Sequence, residues 1–362
     1  MAEPAELRLA AGERARATSL RARSPAWLWL FGAVTFLLGS LLAGAFVGPV
    51  HLGPGAIVEA LASRIPLLGI DSPLSPSEEA ILFEIRLPRV VLAGLVGAML
   101  AGAGASYQGV FRNPLADPYL LGIAAGAGLG ATVAVAYGPP GAASSGLLPL
   151  AAFVGGAGAV ATAYALGRSA GVHGPTALIL AGVVVASFLT ALQTFVQQQH
   201  LDTIQEVYSW ILGRLSTSGW HDVGLVTPYV AISAIGLLLH RRLLDVLAVG
   251  DEEARSLGVH VRRVRLVVIA AATLGTAAAV AVSGLIGFVG IVVPHAIRLL
   301  AGTSYRLLLP LSLLCGGGFL VLADVLARTA LSPAELPIGV VTAFFGAPFF
   351  AIILRTSRTV TP

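Results

Sequence analysis

The sequence predicts an all-α, polytopic membrane protein with about ten transmembrane helices, several of them short or broken. Three observations carry that expectation. Hydrophobic residues fill 56% of the 362 positions and charged residues only 11%, whereas a soluble domain is about a quarter charged. The apolar residues gather into runs near the roughly 20 residues needed to cross a hydrocarbon core about 30 Å thick. The 43 glycines supply small surfaces that let helix backbones approach where no hydrophobic effect drives association.

Taken in order, the chain opens with an arm, 1–25, carrying five Arg and three Glu. The run 27–47 is longer than a signal-peptide core and reads as a retained first span. Further spans are expected at 90–108, 120–137, 147–166, 177–196, 223–239, 266–282, 286–301, 307–327 and 340–354, so that 26–356 form one membrane domain and 357–362 a tail. The seventh and eighth spans are separated only by Ser283-Gly284-Leu285. Irregular backbone at membrane depth is tolerated only where it is buried or lines a cavity, which favours a transport protein over a simple anchor.

Arginine placement gives a direction. With the N-terminus inside, 17 of the 22 basic residues fall at cytoplasmic segments or span ends, and only Arg64, Arg86, Arg89, Arg214 and Arg328 lie outside. That asymmetry fits the positive-inside rule, and an even number of spans then leaves both termini in the cytoplasm. Two outer segments, 51–85 and 197–222, are long. In the second, Ile204, Val207, Trp210 and Ile211 recur at helical spacing, as in an interfacial helix. The largest inner segment, 240–265, reads as two short helices over 244–258 broken at Gly250. The stretch Asn113-Pro114-Leu115-Ala116-Asp117-Pro118 is a turn, because Asn and Asp bond their own backbone there.

Several function classes are excluded on residue grounds. All 22 basic residues are Arg, so the chain has no Gly-rich phosphate loop ending in Lys and cannot carry its own ATP site of that kind. Cys315, the single cysteine, lies in an apolar run, which leaves no thiolate cluster or disulfide framework. Asp324 is the only acid placed inside a span, and Arg328 follows it by four residues. No intramembrane catalytic pair or His-Glu-x-x-His array is present. No resident metal site and no nucleic-acid partner are expected.

From Arg86 to Leu354 the chain resembles the FecCD-type permeases of ABC importers for iron–siderophores, haem and vitamin B12. The resemblance rests on ordered motifs. These are Arg86-Leu87-Pro88-Arg89, Gln108-Gly109-Val110-Phe111-Arg112-Asn113-Pro114, Leu180-Ala181-Gly182, Trp210-Ile211-Leu212-Gly213, Gly250-Asp251-Glu252-Glu253-Ala254-Arg255-Ser256-Leu257-Gly258, Gly287 to His295, and Glu335-Leu336-Pro337-Ile338-Gly339-Val340-Val341-Thr342 with Gly346-Ala347-Pro348.

It implies the type II ABC importer permease fold, a homodimer, two separate cytoplasmic ATPase subunits carrying ATP and Mg, and a periplasmic or lipid-anchored substrate-binding protein. It casts Leu247, Gly250, Asp251, Glu252, Ala254, Arg255, Leu257 and Gly258 as the ATPase-coupling element, with an ordinary solvated loop as the bland alternative. Arg86, Arg89 and Arg328 map to arginines that receive carboxylates of the binding protein; for Arg328, simple pairing with Asp324 competes.

By the same resemblance, His173, Gly174, Pro175, Thr176 and Leu180 match a cytoplasmic gate. Gln193 and Gln197, with Gln198 and Gln199 beside them, approach the outer mouth of a pathway lined by the fifth and tenth spans. His200 and Arg214 are candidates for cargo contact, and His295 reads as structural. The implied cargo is a ferric siderophore or haem, with cobalamin or another corrinoid as the alternative. Neither an enzyme nor a secondary transporter is expected, and the implied location is a bacterial or archaeal inner membrane.

Overall fold

The computed structural model describes residues 25–66, 69, 71–139, 146–169, 175–215 and 219–357, and every regular element among them is helical. The arm up to residue 24, the gate residues His173 and Gly174, and the tail from 358 onward lie outside the described residues. Numbered in order, the helices are α1 (Ala26–Phe46), α2 (Pro54–Ser63), α3 (Pro76–Ala80), α4 (Leu87–Phe111), α5 (Ile123–Tyr137), α6 (Leu147–Ser169), α7 (Pro175–Gln199), α8 (Ile204–Ile211), α9 (Trp220–Val249), α10 (Asp251–Ser256), α11 (Val261–Ser283), α12 (Val289–Ala301), α13 (Tyr305–Thr329) and α14 (Ile338–Ser357).

All ten expected spans correspond to helices. Seven are long and apolar enough to cross a membrane, and α5, α12 and α14 are shorter apolar helices. The α4 span reaches further back than its hydropathy, because α3 and a π-helical turn at Ile81–Arg86 lead straight into it. The segment expected as two short helices around Gly250 also differs. Its first half is the end of the 30-residue α9, and only Asp251–Ser256 forms a separate short helix. The run from Leu239 to Val249 satisfies helix hydrogen bonding without a break, and Gly250 supplies the break.

At the centre stands α4, buried along nearly its whole length and packed by α9, α11, α12 and α13. Glycine makes the tightest of these contacts possible: a Cβ on Gly97 would collide with the Gly316 carbonyl of α13. A second group, α5, α6 and α7, packs to one side, while α1 lies against α13.

Two short spans, α5 and α12, begin inside the bundle, and the irregular segments that precede them meet there. Thirteen residues of α12 rise only about 20 Å, so the backbone before it lies within membrane depth. Polar groups of this irregular backbone find partners in other segments of the chain. The Tyr119 hydroxyl donates to the Ile286 carbonyl at 3.0 Å and lies 3.1 Å from the Ile286 N–H, satisfying both groups of one residue. The Arg214 N–H donates to the Ser283 carbonyl at 2.8 Å, and the Gly339 N–H to the Leu212 carbonyl at 3.1 Å. Gly284 turns the chain at φ 67°, and a side chain there would strike the Trp210 carbonyl.

Helix α8 departs from the interfacial reading. Val207 and Trp210 are 0% and 3% exposed, and Trp210 packs among Ala127, Ala131 and Val280. Trp210, on the face read from sequence as interfacial, fills the space between α5 and α11, while Ile204 stays 40% exposed.

Candidate docking, coupling and pathway sites

At the α8 end of the bundle, the three arginines expected on a docking surface are buried. Arg86, Arg89 and Arg328 are 3%, 8% and 3% exposed, and each donates within the chain, although Arg328 Nε has no hydrogen-bond partner. Arg86 donates from Nη1 to the Ala45 carbonyl at 3.1 Å and from Nη2 to the Val50 carbonyl at 2.6 Å, closing the end of α1. Arg89 holds Asp324 through Nε at 3.0 Å and Nη2 at 2.9 Å, and its Nη1 reaches Glu335 at 2.9 Å. Arg328 donates to the Gly44 carbonyl at 2.7 Å, with its Nε 3.6 Å from Asp324.

The sequence expectation is that these arginines receive a partner's carboxylates; within the chain they are buried and engage its own groups. A buried charge must be matched inside the protein, and here two acids and the carbonyls of Gly44, Ala45 and Val50 do so. Glu335, which the sequence reading left without a role, completes this network while 44% of its side chain stays exposed.

Glu335 and Arg89 open onto a pocket of about 360 Å³, walled also by Gln205, Tyr208 and Arg214. The Arg214 side chain is exposed there. His200 is half-buried and held edge-on by the Tyr137 ring at 4.7 Å. Gln193 is buried against Gly128 of α5, so it does not line an open passage, whereas Gln197 is half-buried and Gln198 and Gln199 are exposed. Leu180 is 64% exposed on the outward face of α7, together with Val184, Phe188 and Phe195; Thr176 is exposed and Pro175 half-buried. The outward face of α14 carries Phe344, 72% exposed.

At the opposite end, α10 presents Glu252, Arg255 and Leu257 to the outside, with Val249 beside them. Leu247 and Ala254 are 1% and 0% exposed, so they seat the element and do not form its contact surface. Asp251 fixes it further, accepting from Arg265 at 3.0 Å and lying 3.5 Å from Arg112. Gly250 and Gly258 bracket the short helix, Gly258 at φ 79°. The 113–118 turn behaves as its residues dictate: Asn113 Oδ1 accepts from the Leu115 N–H and Asp117 Oδ1 from the Tyr119 N–H. His295 is half-buried beside Phe349 and Phe350, in keeping with a structural role. Among the described residues, no three His, Cys, Asp or Glu side chains gather as a metal site.

A multi-pass bundle with broken spans, a bracketed surface knob at one end and a polar pocket at the other is the build of a transport permease. Residues 35–356 match the FecCD transport family, and the chain belongs to it. It is 40% identical over 343 residues to the ABC transporter permease protein YvrB of Bacillus subtilis, covering 93% of this chain and 96% of that one. It is 46% identical to the cobalamin import system permease protein BtuC of Halobacterium salinarum, covering 76% and 74%. It is 39% identical to the hemin transport system permease protein HmuU of Yersinia pestis, covering 77% and 84%. Among solved structures, a metal-chelate type ABC transporter in an inward-facing conformation matches with a TM-score of 0.78 at 30% identity, covering 90% of this chain and 98% of that one.

Proposed function

We propose that this chain is the membrane-spanning half of an ATP-driven importer that carries an iron chelate, a ferric siderophore or haem, across the cytoplasmic membrane. The observation that carries the reading is the α10 element, a rigid knob with exposed Val249, Glu252, Arg255 and Leu257 held by buried Leu247 and Ala254. A transporter with no need of a partner motor has no use for such a knob. Two separate ATPase subunits would seat on it and supply ATP and Mg, this chain itself holding neither. In this reading α10 and both termini lie in the cytoplasm, an orientation supported by the excess of Arg in the segments assigned there.

A second copy of the chain supplies the missing wall of the passage. The unpartnered apolar faces of α7 and α14 carry Leu180, Phe188 and Phe344, and two copies related by a twofold axis would enclose a path between them. A periplasmic or lipid-anchored binding protein would deliver cargo at the α8 end. There its contacts fall on exposed groups around Glu335 and Arg214 more readily than on the buried guanidiniums. The names of the hemin permease and of iron chelatin permeases from Helicobacter pylori support iron chelates. The cobalamin permease similarity supports a corrinoid as the second reading.

The discriminating experiment is a binding screen of the cognate binding protein, followed by ATP-dependent uptake into proteoliposomes containing the whole transporter. Uptake of haem or a ferric siderophore is expected. Uptake of cobalamin alone would move the assignment to the second reading.

A further inference from the structure

At the α10 end lies a second pocket, of about 500 Å³, lined by Arg255 and residues 258–263. Arg255, Arg262 and Arg263 are exposed, and among the described residues none of their guanidiniums takes part in an ion pair or a hydrogen bond. Acids are not lacking nearby. Asp251 is engaged by Arg265 and Arg112, while the exposed Glu252 and Glu253 of α10 leave the three arginines alone. His260, also exposed, adds a fourth donor.

The position of these cations is unfavourable as it stands. Helix α11 begins at Val261, and its first turn holds Arg262 and Arg263 with no acidic residue. Positive side chains there oppose the helix dipole, whose N-terminal end is itself positive. A bound anion relieves both the mutual repulsion and the clash with the dipole.

Depth then selects the anion. Leu266 and Val267 are 44% and 41% exposed on the same helix, where a membrane helix meets acyl chains. At 1.5 Å per residue, Arg262 stands about 6 Å before Leu266, which is headgroup level.

We propose that this pocket holds the phosphate of an anionic phospholipid from the leaflet facing α10. Arg262 and Arg263 present their forks to the phosphate oxygens, Arg255 and His260 close over it, and the acyl chains run along Leu266 and Val267. The proposal rests on the orientation given above and is independent of the cargo. It ties lipid composition to the element that meets the ATPase, since Arg255 belongs to both.

The test uses the full chain in nanodiscs of phosphatidylglycerol and phosphatidylcholine, with retained lipid counted by native mass spectrometry. One phosphatidylglycerol per chain is expected to survive dilution. The double variant R262Q/R263Q should bind it about 30-fold more weakly, the attraction of two arginines to an anionic leaflet. R241Q/R242Q, which removes charge elsewhere at the same end, should leave it bound. R262K/R263K, which keeps charge and topology, should fall between wild type and the glutamine variant, separating the guanidinium fork from misfolding.

Equal loss in R241Q/R242Q would show diffuse attraction and overturn the site. So would full retention in R262Q/R263Q, or equally tight binding of inorganic phosphate in lipid-free detergent. Release of the lipid when the ATPase subunit is added would assign the pocket to the protein interface instead. ATP-driven uptake, measured in parallel, reports on the importer reading separately.

Discussion

Removing the Asp324 carboxylate isolates what the charge network at the α8 end contributes. It is 1% exposed and serves two buried guanidiniums. Asp324→Asn should lower stability in detergent by about 3–5 kcal/mol, the usual cost of breaking a buried pair. The double variant with Arg89→Gln should cost less than the sum of the singles, because each alone strands the other's charge; a denaturant series on the four proteins checks this.

Asp117 offers a pH signature. Burial pushes its carboxyl up to about 6, against the opposing Tyr119 N–H. A folded value above the unfolded one of about 3.9 means the folded chain binds this proton more tightly. Its stabilising contribution is therefore full below the unfolded value and is lost as pH rises through about 6. The thermal midpoint of Asp117→Asn should fall less than that of wild type between pH 4.5 and pH 7. Identical pH profiles would remove the assignment.

At the scale of elements, the meeting of the two broken spans is the feature most open to attack. Tyr119→Phe should cost about 1–3 kcal/mol, since the Ile286 N–H and carbonyl both lose their partner away from water. Faster hydrogen exchange confined to residues 284–288 would be the local readout.

Sequence reasoning found the helices because hydropathy is a property of each run alone. It also found the turn at 113–118, because Asn and Asp act within two residues. It missed the Tyr119–Ile286 clamp and misplaced Trp210, since both depend on partners far along the chain. The burial of Arg86, Arg89 and Arg328 was missed for the same reason. Arg89 meets Asp324 and Glu335 across separations of 235 and 246 residues, and periodicity carries no information at that range. Their scarcity at that end of the bundle was legible; their burial was not. The break at Gly250 and the short element after it were legible from the motif, but only packing distinguishes exposed Arg255 and Leu257 from seated Leu247 and Ala254.

For the whole molecule, the charge asymmetry between the two ends, the exposed faces of α7 and α14 and the knob at α10 combine into one claim. In the proposed reading, the chain converts a partner motor's closure into movement of its spans and does no chemistry of its own. The measurement that tests this most directly is ATP hydrolysis by the chain purified with its cognate ATPase subunit, for wild type and for Leu257→Asp. Leu257 is 70% exposed on the knob, so a charge there spoils a seat without disturbing the fold. The account predicts a stable complex whose cargo-stimulated hydrolysis requires both proteins and is lost in Leu257→Asp. Failure of the two proteins to co-purify, together with ATPase activity indifferent to this chain, would contradict it.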